Sequence, residues 1–309
     1  MIPVQFNTPV VLIIFNRPEA TRRVLAAVRK VKPSQLFVIA DGARANNPEE
    51  VKSCELARKV IEEVDWECQI QKKYGQVNLG CGKSPAEGIS WVFEHVSECI
   101  ILEDDCVPEL TFFRFCAELL NKYRQDSRVM MISGNHHLLQ KKQIEDSYFF
   151  SRNTQTWGWA TWKRAWNFYD YDMAVWPQIK NTRWLERILG SRQVAKYWER
   201  LFDRCYKDQN RDYWDYQWTL CCWAQNGLNI IPDRNLVANI GFGDLGGIHF
   251  TKDYCPFGNL PTYEMKFPLR HPSVMIQHIE ADQQIQRDVY GQVSLACRVK
   301  RKLGRYIKG

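Results

Sequence analysis

The first hundred residues alternate short apolar runs with segments of helical periodicity, and this alternation constrains the possible fold more than any other feature of the chain. Strand-like runs separated by amphipathic helices are typical of a parallel sheet with helices on its faces. The apolar runs are also far shorter than the roughly 20 residues that a membrane-spanning helix needs. We therefore expect an α/β protein with a mostly parallel, Rossmann-like central sheet flanked by helices.

The element boundaries follow from hydrophobic periodicity and from the turn residues between the runs. Strands are predicted at residues 10–15, 35–40, 67–74, 99–102 and 129–133. Helices are predicted from Pro18 onward and at residues 48–64 and 84–95, with a loop at residues 78–82. Later segments alternate less clearly. There we expect residues 157–162 to lead into a helix, with further helices at residues 184–206 and 213–224.

Three consecutive carboxylates, those of Glu103, Asp104 and Asp105, follow the predicted strand at residues 99–102. Adjacent carboxylates repel one another, which favours a bound cation at this strand end. Mg²⁺ and Mn²⁺ prefer such oxygens and are commonly completed by substrate phosphates. The alternative is that these acids cap the helix that follows, where the helix dipole favours negative charge.

Two other predicted strands also end in polar residues, Asn16-Arg17 and Asp41-Gly42. Open α/β sheets bind ligands at the carboxyl ends of their strands. Three polar strand ends in one sheet therefore favour a metal-nucleotide site over a simple helix cap.

The order of these motifs resembles the GT-A glycosyltransferases, in particular the N-acetylglucosaminyltransferase I group and its bacterial relatives, over roughly residues 9–250. The resemblance implies that Arg17 contacts the nucleotide and that Asp41 contacts uracil. It also implies that Asp105 ligates Mn²⁺ or Mg²⁺, while Glu103 and Asp104 contact the ribose or the donor sugar.

The later motifs extend the resemblance. Gly158-Trp159, with Trp162 and Trp166, is similar to the segment that lines the donor and acceptor cleft in that family. Tyr213-Trp214-Asp215 is similar to the segment that holds the catalytic base, which implies a donor contact for Trp214. Asp215 is the predicted base; Asp212 is the alternative, because Tyr216 stands where the family has a second aspartate.

The segment from Phe242 to His249 resembles the loop that orders over a bound nucleotide sugar in that family. His249 is accordingly a candidate metal ligand or diphosphate contact. A plain loop histidine is the alternative interpretation of this residue.

Net charge is concentrated at the carboxyl end, where residues 298–308 supply six of the net seven positive charges. The nearly neutral remainder argues against nucleic-acid binding by the globular part. Apolar residues recur every fourth position among the basic ones: Leu295, Val299, Leu303 and Ile307. Residues 294–309 could thus form a helix that contacts an anionic membrane, or a solvated helix that packs on its own domain.

Cysteines and tryptophans are both numerous. The eleven cysteines show no CxxC zinc spacing, and the chain carries no export signal, so we expect reduced thiols and a cytoplasmic protein, either free or peripheral on the inner membrane face. Most of the twelve tryptophans lie between residues 157 and 223. They could form core, or they could offer flat rings to a sugar.

These observations predict an inverting, metal-dependent glycosyltransferase. Its donor would be a nucleotide-diphosphate sugar, a UDP-sugar such as UDP-GlcNAc, and its acceptor a glycan or lipid-linked saccharide of surface polysaccharide or lipopolysaccharide synthesis. The alternatives are a sugar-nucleotide nucleotidyltransferase and a non-catalytic carbohydrate-binding protein. We expect a nucleotide-sugar-binding half at residues 1–135, an aromatic-rich, helical acceptor and catalytic half of the same domain at 136–290, and a basic tail at 291–309.

Overall fold

The computed structural model describes residues 6–138, 144–208, 212–242 and 257–291. The ten strands in this part of the chain are β1 Val10–Ile14, β2 Gln35–Ala40, β3 Gln69–Tyr74, β4 Glu98–Glu103, β5 Cys106–Pro108, β6 Val129–Ser133, β7 Tyr148–Ser151, β8 Trp159–Trp162, β9 Leu228–Pro232 and β10 Val237–Asn239. Eight of them form one sheet in the order β3-β2-β1-β4-β8-β6-β9-β7, and β5 pairs with β10 in a separate two-stranded ribbon.

The central sheet is mostly parallel. β3, β2, β1 and β4 run in the same direction, as do β6 and β9, whereas β8 and β7 are antiparallel to their neighbours. Strands from both halves of the chain therefore belong to one sheet. The expected α/β class with a mostly parallel central sheet is confirmed.

Helices cover both faces of this sheet. In chain order they are α1 Pro18–Arg29, α2 Pro48–Lys59, α3 Gly80–His95, α4 Leu110–Lys122, α5 Lys163–Trp166, α6 Trp176–Ile179, α7 Trp184–Leu189, α8 Arg192–Lys207, α9 Asp215–Ala224 and α10 Ile279–Ile285. The apolar sides of α1 and α4 pack on one face, and those of α3 and α9 pack on the other. α8 packs on the outer side of α9.

The first half of the chain follows local signals closely. The boundaries of β2 and β6 agree with those predicted, and α1 begins at Pro18, where proline suits a first helical turn. The predicted loop at residues 78–82 is partly wrong, because α3 begins at Gly80. Its start is stabilised by the carboxylate of Asp41, the residue after β2, and no local pattern reveals this contact.

β7, β8 and β9 were not predicted as strands. Residues 157–162 were expected to lead into a helix, and α5 does begin at Lys163, but the strand β8 itself, which lies between β4 and β6 near the centre of the sheet, was missed. All four of its residues are buried, so apolar and polar positions do not alternate along it. Periodicity alone cannot distinguish such a fully buried strand from a buried helix.

Within the described residues, no helix is both long and apolar enough to cross a bilayer. The predicted basic helix at residues 294–309 lies outside the described part of the chain.

Candidate active site

The parallel register of the central strands brings the predicted site residues to one edge. Ile13 of β1 lies opposite Glu103 of β4, and Ile14 lies opposite Ala40 of β2. The residues that follow these strands, Arg17 among them, therefore emerge side by side.

Arg17 pairs with two of the three consecutive acids. Its Nη2 donates to Asp104 Oδ1 at 2.5 Å, and its Nη1 donates to Asp105 Oδ2 at 2.9 Å. The second oxygen of Asp104 accepts a hydrogen bond from the backbone N–H of Phe15 at 3.1 Å. One guanidinium thus compensates two adjacent buried carboxylates, of which Asp104 is only 3% exposed.

Burial and the close spacing of the charged groups at this strand end shift the pKa values of Glu103, Asp104 and Arg17. Burial, followed by repulsion from Asp105, Asp104 and Asp215, raises the pKa of Glu103 to about 8. Burial also raises the pKa of Asp104 to about 6, although Arg17 opposes that shift. Burial by itself would lower the pKa of Arg17, but the carboxylates of Asp104 and Asp105 raise it above its ordinary value. An additional cation at this edge would favour the ionised form of Glu103.

The β5–β10 ribbon lies directly against Asp105. Ile240 donates its backbone N–H to the carbonyl oxygen of Asp105 at 2.8 Å, and Asn239 accepts from the N–H of Gly241 at 2.8 Å. A Cβ atom on Gly241 would lie 2.2 Å from Asp105 Oδ2 and 3.0 Å from Arg17 Nη1. Only glycine allows the backbone to approach the acidic edge this closely.

Asp105 retains capacity for a cation. Its Oδ1 has two contacts, each 3.4 Å long, from Asn239 Nδ2 and Cys106 Sγ. Among the described residues, no group of three His, Cys, Asp or Glu side chains could hold a metal by itself. Mg²⁺ and Mn²⁺ are nevertheless often bound by one or two carboxylates, with waters and substrate phosphates completing the shell. Asp105 fits that kind of site, whereas His249 lies outside the described residues.

Asp41 is engaged with the start of α3. Its carboxylate accepts hydrogen bonds from the backbone N–H groups of Gly42, Leu79 and Gly80 and from Asn78 Nδ2, at distances between 2.9 and 3.1 Å. Four donors match the roughly four acceptor positions of a carboxylate. Burial raises the pKa of Asp41, while these hydrogen bonds act in the opposite direction. The structure assigns Asp41 to holding α3, and its uracil contact stays a prediction.

Asp215 is the first residue of α9, and its carboxylate is near enough to Glu103 to act on it electrostatically. Its charge contributes to the raised pKa values of both Glu103 and the Cys81 thiol, after the larger effect of burial on each. Cys81 Sγ also donates to the carbonyl oxygen of Asp212 at 3.1 Å. The two candidate bases, Asp215 and Asp212, therefore belong to the same edge of the molecule as the acidic strand end.

Trp159 and Trp214 are core residues in this structure. Trp159 has no exposed surface and Trp214 is 5% exposed, and their rings stack with centroids 5.4 Å apart. Trp162 and Trp166 are buried as well. The dense tryptophans largely form the core, and a donor contact of Trp159 or Trp214 stays a prediction.

Sequence reasoning gave no role to Trp157, and it named Phe242 only as the start of the loop expected to order over a bound nucleotide sugar. Their ring centroids lie 5.4 Å apart, and Trp157 is partly exposed. Phe242 directly follows Gly241, which touches the acidic edge, so this pair borders the site. Gly158, with φ of +67°, forms the turn that separates Trp157 from the buried strand β8. A glycine immediately after an aromatic residue and before a buried run was the available signal.

No family model matches the chain, and no curated protein matches it. Several solved structures share part of the fold. The structure of Staphylococcus aureus TarS residues 1–349 matches with a TM-score of 0.34 and 10% identity, covering 50% of this chain and 47% of that one. This chain thus spans less than half of that structure.

Two further structures match over more of the chain. Mouse xyloside xylosyltransferase 1 has a TM-score of 0.34 and 10% identity over 71% of this chain and 81% of that one. A 4-diphosphocytidyl-2C-methyl-D-erythritol synthase from Anaerococcus prevotii has a TM-score of 0.33 and 13% identity over 71% of this chain and 99% of that one. With TM-scores below 0.5, these likenesses assign no activity to this chain.

Proposed function

We propose that this chain is an inverting glycosyltransferase that uses Mn²⁺ or Mg²⁺ and transfers a sugar from a nucleotide-diphosphate donor. The observation that carries the proposal is the position of Arg17, Asp105 and Asp215 at the carboxyl edge of the sheet. A cationic group, a carboxylate with spare acceptor capacity and a separate candidate base are the groups that such a transfer requires.

The donor would lie across the carboxyl ends of β1, β2 and β4. Asp105 would hold the metal through Oδ1, and Arg17 offers its guanidinium to the diphosphate beside it. When bound, Mn²⁺ or Mg²⁺ would stabilise the negative charge that develops on the leaving diphosphate. Asp41 acts here by fixing the amino end of α3, whose start borders the same edge.

The acceptor hydroxyl would be deprotonated by Asp215. A positioned carboxylate base contributes about 10²–10⁴-fold to the rate. Trp157 and Phe242 would border the sugar with their rings, since flat aromatic faces pack against pyranose C–H groups. The donor we propose is a UDP-sugar such as UDP-GlcNAc, and the acceptor a glycan or lipid-linked saccharide of surface polysaccharide synthesis at the cytoplasmic side.

Two features count against the alternative functions. Only three residues separate β1 from α1, so this position has no room for the glycine-rich, lysine-bearing loop expected of a nucleotidyltransferase. Eight of the twelve tryptophans are buried, which removes most of the support for a lectin-like array of exposed rings: Trp159, Trp162, Trp166, Trp176, Trp198, Trp214, Trp218 and Trp223.

The test is a donor-hydrolysis screen of nucleotide sugars with Mn²⁺. We expect one donor class to be hydrolysed, with the activity lost in Asp105→Ala and reduced about 10²-fold or more in Asp215→Asn. Asp212→Asn is the matched control, because it removes the neighbouring carboxylate three positions away. Full activity in both Asp105→Ala and Asp215→Asn would contradict the proposed site, and a selective loss in Asp212→Asn would move the base there.

Calorimetry separates the enzyme from a binding protein. The proposal requires UDP binding that depends on Mn²⁺ and is lost in Asp105→Ala. Glycan binding that is indifferent to both the metal and this substitution would support a carbohydrate-binding protein instead.

A further inference from the structure

One hydrogen bond joins the start of α3 to the segment just before α9. Cys81, the second residue of α3, donates its thiol to the backbone carbonyl oxygen of Asp212, with 3.1 Å between the sulfur and the oxygen. Among the nine cysteines in the described part of the chain, Cys81 is exposed, Cys68 is half-buried and the other seven are buried. Since a free cysteine is usually a buried apolar side chain, core packing does not account for Cys81.

The thiol of Cys81 lies among the carboxylates of the proposed site. The residue keeps exposed surface, but the protein atoms around its sulfur displace water and raise the pKa of the thiol. The charges of Asp212, Glu103 and Asp215 raise that pKa as well. The thiol therefore keeps its proton at neutral pH and acts as a hydrogen-bond donor, because only the thiolate is a nucleophile or a metal ligand.

Helix α3, which carries Cys81, is itself held in place. Asp41 accepts hydrogen bonds from the two backbone N–H groups that precede Cys81, at 2.9 to 3.1 Å. Further along the helix, Ser90 Oγ accepts from Trp166 Nε1 at 3.0 Å, and the apolar side of α3 packs on the sheet. The thiol is therefore presented by a helix whose start and body both have partners outside the helix.

The backbone at Asp215 is held by the core. Trp214, the residue before it, has a buried ring, and its carbonyl oxygen accepts from Tyr169 Oη at 3.2 Å. Thr219 Oγ1 donates to the carbonyl oxygen of Asp215 at 3.0 Å. The contact with Cys81 holds the chain three residues earlier. The short segment that leads into Asp215 is thus secured at both ends.

We propose that Cys81 is a positioning residue for the candidate base: its thiol holds the backbone at Asp212, which fixes how Asp215 enters the site. Arg17 and Asp105, the proposed contacts of the nucleotide sugar, are not part of this arrangement. Loss of the thiol therefore slows the chemical step, which is sensitive to small displacements of the base, and leaves nucleotide binding unchanged. The inference rests on the proposed function for the role of Asp215, whereas the hydrogen bond itself does not.

Hydrogen exchange of the full chain, followed by mass spectrometry, tests the contact without any substrate. We expect amides in residues 212–219 to exchange about fivefold faster in Cys81→Ala, because losing one hydrogen bond shifts a local opening equilibrium by about that factor. This segment includes the N–H of Trp218, which donates to the carbonyl oxygen of Trp214. Cys81→Ser should exchange like the parent, since a hydroxyl also donates. Cys81→Val fills the space without a donor and should behave like Cys81→Ala.

Hydrolysis of UDP-GlcNAc with Mn²⁺ tests the consequence for the base. We expect kcat to fall about fivefold in Cys81→Ala and Cys81→Val, while KM stays within about twofold of the parental value. Cys81→Ser should recover most of the rate, which a loss of packing alone does not explain. Cys68→Ala is the matched control, because it removes a thiol from just before β3, at the opposite edge of the sheet. It should change neither kcat nor the exchange of residues 212–219.

Three results would overturn the proposal. The first is unchanged exchange in Cys81→Ala. The second is parental exchange in Cys81→Val with fast exchange in Cys81→Ser, which would show a packing role. The third is a raised KM with unchanged kcat, which would make Cys81 a contact of the nucleotide sugar. Failure of the proposed function is distinguishable, because a parent protein that hydrolyses no nucleotide sugar contradicts the enzyme, while the exchange rates still decide whether Cys81 holds the segment before Asp215.

Discussion

Arg17 is the residue on which the charge balance of the acidic edge depends. Its side chain is 24% exposed, and both of its carboxylate partners are nearly buried. Removing one member of a buried ion pair leaves an uncompensated charge, at a cost of several kcal/mol. The arginine therefore has a structural role at this edge in addition to its proposed contact with the donor.

We expect Arg17→Ala to lower the free energy of unfolding by about 3 kcal/mol near pH 8. The loss should shrink at lower pH, because without Arg17 the buried Asp104 takes up a proton and sheds its unpaired charge. Urea denaturation on both sides of pH 6 measures this. Arg22→Ala is the control, since that arginine forms exposed pairs worth at most about 1 kcal/mol. Equal losses for the two variants would contradict the buried-pair interpretation.

The buried ring of His137 predicts a second way in which the free energy of unfolding depends on pH. Its ring lies 5.0 Å from Trp157 and 4.5 Å from Phe257, and burial lowers its pKa to about 3. The unfolded chain binds the proton below about pH 6.5, while the folded protein does not until about pH 3. The stability associated with neutral His137 is therefore complete above pH 6.5 and is lost progressively as the pH falls toward 3.

The variant His137→Gln should lose less stability than the parent protein as the pH falls. We expect the difference in urea midpoint between about pH 7.5 and about pH 4.5 to be smaller in the variant than in the parent. His95→Gln, at an exposed histidine, should keep the parental difference. An unchanged pH dependence in His137→Gln would show that His137 is not the group responsible.

At the scale of elements, the start of α3 depends on Asp41, the residue that follows β2. Glycine at residues 80 and 82 disfavours a helix start by local propensity, so the predicted loop at residues 78–82 was reasonable. The four donors that surround Asp41 change that outcome. A capping carboxylate 38 residues earlier in sequence is visible only after the chain has folded.

Asp41→Ala should destabilise the protein by about 1–2 kcal/mol, because it leaves the first backbone N–H groups of α3 without an acceptor. Asp41→Asn should lose less, since one side-chain oxygen remains. Thermal or urea unfolding measures both. UDP affinity, measured in parallel, tests the uracil contact: a change beyond that of stability alone would support it, and an unchanged affinity in Asp41→Asn would argue against it.

Separation along the chain decides which site residues could be identified from the sequence. Glu103, Asp104 and Asp105 follow a buried strand directly, so a local pattern locates them. Asn239 and Gly241 reach Asp105 from the β5–β10 ribbon, whose strands are separated by more than a hundred residues. Neither has a local signal that points to this contact. Pairing across such distances is decided by packing, not by periodicity.

At the scale of the whole molecule, α9 and the sheet enclose a layer of aromatic rings. Trp159, Trp166, Trp214 and Trp218 contact one another with centroids between 5.1 and 6.3 Å apart. These rings belong to the same core cluster as Val11, Phe37 and Ile101 of β1, β2 and β4, so they join strands of the first half to helices of the second. The acceptor side of the proposed site therefore depends on the core for its position.

The variants Trp159→Ala and Trp157→Ala together test which of the two rings stabilises the core and which contacts a ligand. Trp159 is fully buried, so its truncation should lower the free energy of unfolding by about 3–5 kcal/mol. Trp157 is partly exposed, so its truncation should cost less stability but weaken nucleotide-sugar or acceptor binding. Urea unfolding and calorimetry provide the two measurements. The reverse pattern, with binding lost only in a stable Trp159→Ala, would restore the donor contact first predicted for Trp159.

The sequence by itself determined the alternation of strands and helices in the first third, the boundaries of β2 and β6, and the acids at the end of β4. These features depend on local signals, namely apolar periodicity, proline at a helix start and polar residues after a buried run. Only the tertiary structure decided that β8 lies between β4 and β6, that Trp159 is buried, and that Arg17 joins Asp104 and Asp105. These outcomes depend on contacts between residues far apart in sequence, where burial and charge pairing outweigh local preference.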